Sequence, residues 1–183
     1  MALMHSNGMK PGTPMPHFQL PGVDGREYSP DDFREAEVLV VVFTCNHCPY
    51  AIANEDRLIA LHRNFSNRGV QFVLINPNDA ERYQADSFMR MKDRAEEKKF
   101  PFPYLQDESQ EVARAYDAAC TPDIFVFDQK RTLRYNGRID DNWQEPHNVT
   151  RHDLRTVLET LLDGREIDID IVPSMGCSIK WKV

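Results

Sequence analysis

The sequence predicts an α/β domain whose mixed central sheet is flanked by helices. Two continuous, β-branched apolar runs, Val38 to Phe43 and Val70 to Asn76, bracket a helical pattern, the order of a parallel βαβ unit. Two later runs, Ile124 to Asp128 and Leu133 to Ile139, are joined through Gln129-Lys130-Arg131, a link short enough for an antiparallel pair. Leu154, Val157, Leu158, Leu161 and Leu162 then recur at the spacing of one helix face.

The elements follow in order. Residues 1–15 carry Gly8, Pro11, Gly12 and Pro14 and are expected to be a flexible segment, with order starting near Pro16 and one domain spanning 16–183. His17 to Leu20, the turn residues Gly22-Val23-Asp24-Gly25, and Arg26 to Tyr28 read as a β-hairpin. Ser29-Pro30-Asp31-Asp32-Phe33 suits a single capped turn, with proline at the first helical position. After the first buried strand, a helix is expected from Cys45 to about Asn64, stopped by Gly69. A charge-rich surface helix is expected over 79–99, then a short strand after the proline-broken Phe100 to Leu105, then a helix from Val112 to Tyr116. Thr150-Arg151-His152-Asp153 resembles a capping box for the last helix, closed by Gly164, and a tail over 165–183 ends the chain.

Composition narrows the function classes. With 22 Lys and Arg against 29 Asp and Glu, the net charge is -7, and no basic run provides a nucleic-acid footprint. No apolar run approaches the ~20 residues of a membrane span. The first residues lack a basic n-region and an apolar h-region, so a cytoplasmic protein is expected, where its 4 cysteines would be kept reduced. A close cysteine pair in that setting points to catalysis or metal binding.

That pair is Cys45-Asn46-His47-Cys48, delivered by the first buried strand. A thiol attacks as its thiolate, so a catalytic cysteine needs its pKa lowered from ~8.5. At an expected helix start, Cys45 would face unpaired backbone N–H groups, with His47 as a second influence. Cys45 is then the expected nucleophile and Cys48 the resolving thiol, exchanging a dithiol for a disulfide with a partner.

The strand, the Cys-x-x-Cys at its end and the βαβ then ββα order resemble the thioredoxin fold. The resemblance implies that Thr121-Pro122 is the cis-proline position beside the site, with Thr121 presenting its backbone to an incoming substrate strand. More narrowly, Pro16-x-Phe18-x-Leu20-Pro21-Gly22-x-Asp24-Gly25, the extra helix and Gly176-Cys177-Ser178-Ile179-Lys180-Trp181 resemble peroxiredoxin-like redoxins of the AhpC/TSA type that carry a thioredoxin-type Cys-x-x-Cys. This resemblance covers about residues 9–183. It implies a thioredoxin-like fold with an N-terminal hairpin and a helical insertion.

Departures from thioredoxin's Trp-Cys-Gly-Pro-Cys are Thr44 for the Trp and Asn46-His47 for Gly-Pro, and its buried acid aligns with Leu39. The peroxiredoxin Pro-x-x-x-Thr-x-x-Cys, aligned on Thr44, places Val40 at the Pro and His47 at the Cys. The expected activity is a thiol-disulfide oxidoreductase acting on thiol or disulfide proteins, small thiols or peroxides, with no metal or organic cofactor. A thiol peroxidase using Cys45 and a metal- or partner-binding module are the alternatives. Thr44, Asn46, His47, Thr121 and Pro122 would shape the site. Cys120 and Cys177 are candidate accessory thiols, with packing the commoner role for a small buried cysteine such as Cys120. Arg138, Asp140, Asp141 and Asn142 are candidates to border a substrate groove.

Overall fold

The computed structural model describes residues 2–183. Its central sheet has five strands: β4 (Val38–Phe43), β5 (Val70–Asn76), β6 (Tyr104–Gln106), β8 (Asp123–Asp128) and β9 (Leu133–Asn136), in the order β6-β5-β4-β8-β9. β4 pairs parallel to β5 and antiparallel to β8, so the expected mixed sheet forms with the first buried run at its centre.

The run is continuous because both faces of β4 are covered. Val38, Val40 and Val42 meet Leu58, Ile59 and Phe65 of helix α1 (Pro49–Phe65) and Leu154, Val157 and Leu158 of helix α4 (Asp153–Leu162). Leu39, Val41 and Phe43 face a second core with Ala113 of helix α3 (Glu111–Ala115), Tyr116, Phe125 and Ile179. At ~1.5–3 kcal/mol per buried side chain, these six residues contribute on the order of 10 kcal/mol, before chain entropy is subtracted.

The expected hairpin is β2 (Leu20–Pro21) with β3 (Glu27–Tyr28), and the following turn is fastened by the Ser29 N–H donating to Asp32 at 2.7 Å. Helix α2 (Phe88–Lys98) docks on α1 through Arg94, which donates twice to Glu55 at 3.0 and 2.6 Å.

Four expectations are corrected. Helix α1 starts at Pro49, not Cys45: a proline disfavours helical backbone in the residue before it, and Cys48 is accordingly extended (φ -78°, ψ 122°) as the N-cap. Residues 79–87 are not helical beyond a turn at Gln84–Asp86, because their polar groups serve tertiary contacts. The Asp79 N–H donates to the Lys180 carbonyl at 2.9 Å, and Asp86 turns inward.

The Thr150 capping box does not form; the Thr150 N–H donates to Asp141 at 2.9 Å, and His152 is the N-cap of α4. Finally, residues 2–15 of the expected flexible segment are tied down, Met1 lying outside the described residues. β1 (Leu3–His5) pairs antiparallel with β10 (Met175–Ser178), and Asn136 Oδ1 accepts from Ser6 Oγ and the Met9 N–H, each at 3.0 Å. Its glycines and prolines mark bends in a chain whose partners lie more than a hundred residues away, which local punctuation does not reveal.

β10 lies between β1 and β7 (Cys120–Thr121), making a small three-stranded sheet over the C-terminal end of β4. That second sheet, the α1 N-terminus and the 79–87 segment enclose the two cysteines.

Candidate active site

Cys45 follows β4 by two residues, held in line by the Thr44 N–H donating to the Ile75 carbonyl at 2.8 Å. Cys48 caps α1. Facing both is Thr121, whose peptide bond to Pro122 is cis, as the resemblance implies. Its hydroxyl lies 3.3 Å from Cys45 Sγ, and its carbonyl accepts from the Cys48 thiol at 3.1 Å. One residue therefore touches both sulfurs. The dithiol is nearly sealed, with Cys45 2% and Cys48 0% exposed.

The backbone of Thr121 does not stand open for a substrate strand. Cys177 of β10 pairs with it in antiparallel register, so the chain's own tail occupies that edge. Gly176 makes the approach feasible: a Cβ there would lie 2.0 Å from the Thr121 carbonyl oxygen.

The electrostatics differ between the two thiols. Cys48 is lowered to about 5: the Cys45 S–H is the largest influence, opposed by burial and reinforced by the Cys177 S–H and the N–H groups of Ala51 and Cys177. The N–H groups at the α1 start serve Cys48, the residue that caps the helix. Cys45 is raised well above the usual thiol range by its hydrogen bond to Cys48, by burial and by the charge of Asp86, with the Thr121 hydroxyl opposing. The lowered value falls on Cys48 and the raised one on Cys45, so the pair shares one readily lost proton.

Asp86 is the functional candidate that sequence reasoning missed. It is 1% exposed, and burial would raise its pKa. Hydrogen bonds from His47, Asn78 and the Asn46 N–H overcome burial and hold it below the ordinary carboxylate range. His47 Nδ1 lies 2.6 Å from Oδ2, while the ring stacks on Tyr83 with centroids 5.4 Å apart. Asn46 is pinned beside it, accepting from the Tyr104 hydroxyl at 2.9 Å and donating through Nδ2 to the Ala85 carbonyl at 2.8 Å. The Asn46-His47 insert thus carries a buried carboxylate to the site from a different strand's loop, where Leu39 supplies none. The only local hint was the acid itself, 38 residues beyond the motif and inside an expected helix.

A sulfur of Cys45, a ring nitrogen of His47 and a carboxylate oxygen of Asp86 lie within 4.8 Å of one another, close enough to suggest metal ligands. Asp86 is already committed, however. Oδ1 accepts from the Asn46 N–H at 2.7 Å and Asn76 Nδ2 at 3.2 Å, and Oδ2 from His47 and from Asn78 Nδ2 at 2.9 Å. With about four acceptor sites on a carboxylate, none is left for an ion. The trio fits an acid-base group better than a metal centre.

The remaining candidates separate. Cys120 is fully buried, and its thiol points at the Pro122 carbonyl, 3.5 Å away; burial, then the charge of Asp123, pushes its pKa far above the usual range. It is a packing residue. Cys177 joins Cys45, Cys48 and Ala51 in one cluster. Arg138, Asp140 and Asp141 line a cavity of about 280 Å³ that also touches Pro122, Trp143 and Met175; Asn142 instead donates its N–H to Asp140 at 3.0 Å. Among the described residues, no helix is long and apolar enough to cross a membrane.

Comparison with solved structures agrees with this fold. The chain is similar to an uncharacterized conserved protein from Geobacillus kaustophilus, with 45% identity and a TM-score of 0.94 over 100% of this chain and 97% of that one. It is also similar to a hypothetical protein from Sinorhizobium meliloti 1021, with 36% identity and a TM-score of 0.93 over 97% and 98%. The thioredoxin domain of a thiol-disulfide oxidoreductase from Bacteroides vulgatus shares the fold at 17% identity, with a TM-score of 0.65 over 84% and 99%. No curated protein matches the sequence. The model of the AhpC/TSA family matches residues 11–136, from the segment before the hairpin to the end of β9, and the chain therefore belongs to the AhpC/TSA family.

Proposed function

We propose that this protein is a thiol-disulfide oxidoreductase that exchanges a Cys45–Cys48 disulfide with thiols or disulfides of a partner. The observation that carries this reading is the arrangement of the two thiols. They lie in one buried cluster, are bridged by Thr121, and share one readily lost proton at a helix N-terminus. Membership of the AhpC/TSA family supports a redox role.

In the oxidising direction for the enzyme, the Cys48 thiolate attacks one sulfur of a partner disulfide and the partner's other sulfur leaves as a thiolate. Cys45 then attacks Cys48 Sγ, forming the Cys45–Cys48 bond and releasing the second partner thiol. Cys45 must lose its proton for this step, and His47 with Asp86 is the adjacent group able to take it. Once Cys48 is joined to the partner its negative charge is gone, which removes a leading reason for Cys45 to stay protonated. Two electrons and the proton of Cys45 pass out of the pair, and the partner leaves as two thiols after its first thiolate takes a proton from solvent.

The test is reduction of a model disulfide under a constant supply of dithiol. Cys48→Ser is expected to abolish turnover, and Cys45→Ser combined with Cys177→Ser, which leaves no other thiol in the cluster, to accumulate a mixed disulfide on Cys48. Wild-type turnover in both variants would end the assignment. The peroxidase reading draws on the family and on the low Cys48 pKa. It predicts fast peroxide consumption with a sulfenic acid trapped at Cys48 in Cys45→Ser.

A further inference from the structure

The redox pair has a third thiol in contact with it. Cys177 comes from β10, 129 residues after Cys48, yet it is 3% exposed and packs in the same cluster as both cysteines of the pair. Its position is built rather than incidental. Cys177 stands opposite Thr121 across the β10–β7 ladder, and the Thr121 carbonyl is the group that accepts from the Cys48 thiol at 3.1 Å. On its other side β10 is held by β1, with Leu3 opposite Cys177. Cys177 is among the groups that hold the Cys48 thiol low. Gly176 leaves no side chain between the two strands. Cys120, one residue from Thr121, does not share this placement: its thiol turns to the Pro122 carbonyl.

Cys48 therefore packs in one buried cluster with two other cysteines, Cys45 and Cys177. We propose that Cys48 is the common sulfur of two exchanging disulfides, Cys45–Cys48 and Cys48–Cys177, so that the redox centre is a three-thiol set. This rests on the exchange proposed above. Starting from the Cys45–Cys48 disulfide, Cys177 loses its proton and attacks Cys48 Sγ. The Cys48–Cys177 bond forms, the Cys45–Cys48 bond breaks, and Cys45 leaves as a thiolate that takes up a proton. The step moves a disulfide without net oxidation, so it needs no external oxidant or reductant. Its outcome is a free Cys45 and a covalent tie between the start of α1 and the C-terminal strand.

Reduced Cys177 is suited to waiting. Burial, then its hydrogen bond to Cys48 and the charge there, pushes its thiol up to about 12. When Cys48 enters a disulfide, the two influences that come from Cys48 disappear, and Cys177 becomes easier to ionise at the moment its target has formed.

Disulfide mapping of the full chain tests this directly. Trypsin leaves Cys45 and Cys48 together on residues 35–57 and Cys177 on residues 166–180, so an internal disulfide and a cross-link differ in mass. The protein is equilibrated in glutathione buffers from reducing to oxidising, quenched in acid, alkylated and digested. Wild type is expected to give both the internally bridged peptide and the cross-linked pair. Cys45→Ser, oxidised by glutathione disulfide with release of two reduced glutathiones, is expected to give only the cross-link, and Cys177→Ser only the internal bridge.

The proposal is overturned if Cys45→Ser ends with free thiols or glutathione adducts and no cross-link. If that variant does not fold, fragment ions of the wild-type pair decide: a bond placed on Cys48 supports the three-thiol set, while a bond on Cys45, or no cross-link at any poise, overturns it. Loss of the cross-link with the internal bridge intact sinks only this inference. Loss of the internal bridge as well sinks the oxidoreductase reading.

Discussion

The proposed order of the two thiols gives a titration that can be worked through in advance. Reduced wild-type protein holds Cys48 at about 5, and the largest influence lowering it is the hydrogen bond from Cys45. A hydrogen bond to a charged group contributes ~1.5–3 kcal/mol, and one pKa unit corresponds to ~1.4 kcal/mol. Cys45→Ala removes that donor and should raise the Cys48 midpoint by roughly one to two units, to between about 6 and 7. At pH 6 the thiolate fraction would then fall from ~90% to between ~10% and ~50%. Ultraviolet thiolate absorbance against pH measures this without needing reagent access to the buried sulfur. Cys45→Ser keeps an O–H donor and should shift the midpoint less, which separates the hydrogen bond from a change in burial. In Cys48→Ala the low transition should vanish, since Cys45 remains disfavoured as an anion by burial and Asp86. A transition near 5 that survives Cys48→Ala, or a midpoint unmoved by Cys45→Ala, would refute the assignment. The same shift has a stability consequence. A Cys48 pKa below its unfolded value of ~8.5 contributes stability that is present above that value and lost as pH falls through about 5. Denaturant unfolding of the reduced protein should therefore show this contribution shrinking between those limits, and Cys48→Ala should flatten it.

Asp86→Asn should move two quantities in opposite senses. Cys45 loses an anionic neighbour, so the second thiolate transition falls, while turnover drops by roughly 10²-fold because His47 loses the carboxylate that holds its ring beside Cys45; unchanged turnover would remove the His47–Asp86 group from the mechanism. Gly176→Ala places a methyl 2.0 Å from the Thr121 carbonyl oxygen and should cost ~1–3 kcal/mol in chemical denaturation, an effect absent if β10 does not pack on β7. Cys120 is fully buried with its thiol against a carbonyl, so a maleimide should label it only on unfolding; labelling at the unfolded rate in native protein would contradict its packing role.

Much of this architecture is legible in local sequence because it follows from local physics. The Val38 to Phe43 run is buried on both faces and shows no alternation, which is how a central strand reads. Leu154 to Leu162 lies at helix spacing because one side faces β4. The start of α1 was also written in the sequence. Pro49 forces Cys48 out of helical backbone, and reading it as a boundary would have moved the free N–H groups from Cys45 to Cys48. Other errors came from polar residues whose partners are distant. Thr150 meets Asp141 rather than capping α4, and residues 79–87 turn to Asn46, His47 and Lys180 rather than continuing as helix.

By itself the sequence determined the strand and the two cysteines at its end, since each depends on neighbours a few residues apart, while the proline that faces them was placed by the resemblance to the thioredoxin fold. Only the tertiary structure decided which groups surround the two thiols, which acid lies beside them, and what lies across Thr121. Those depend on Asp86, Cys177 and Gly176, brought in by loops and strands remote in the chain. A buried thiol's pKa is set by the charges and N–H groups within a few ångströms of it, and sequence distance carries almost no information about that.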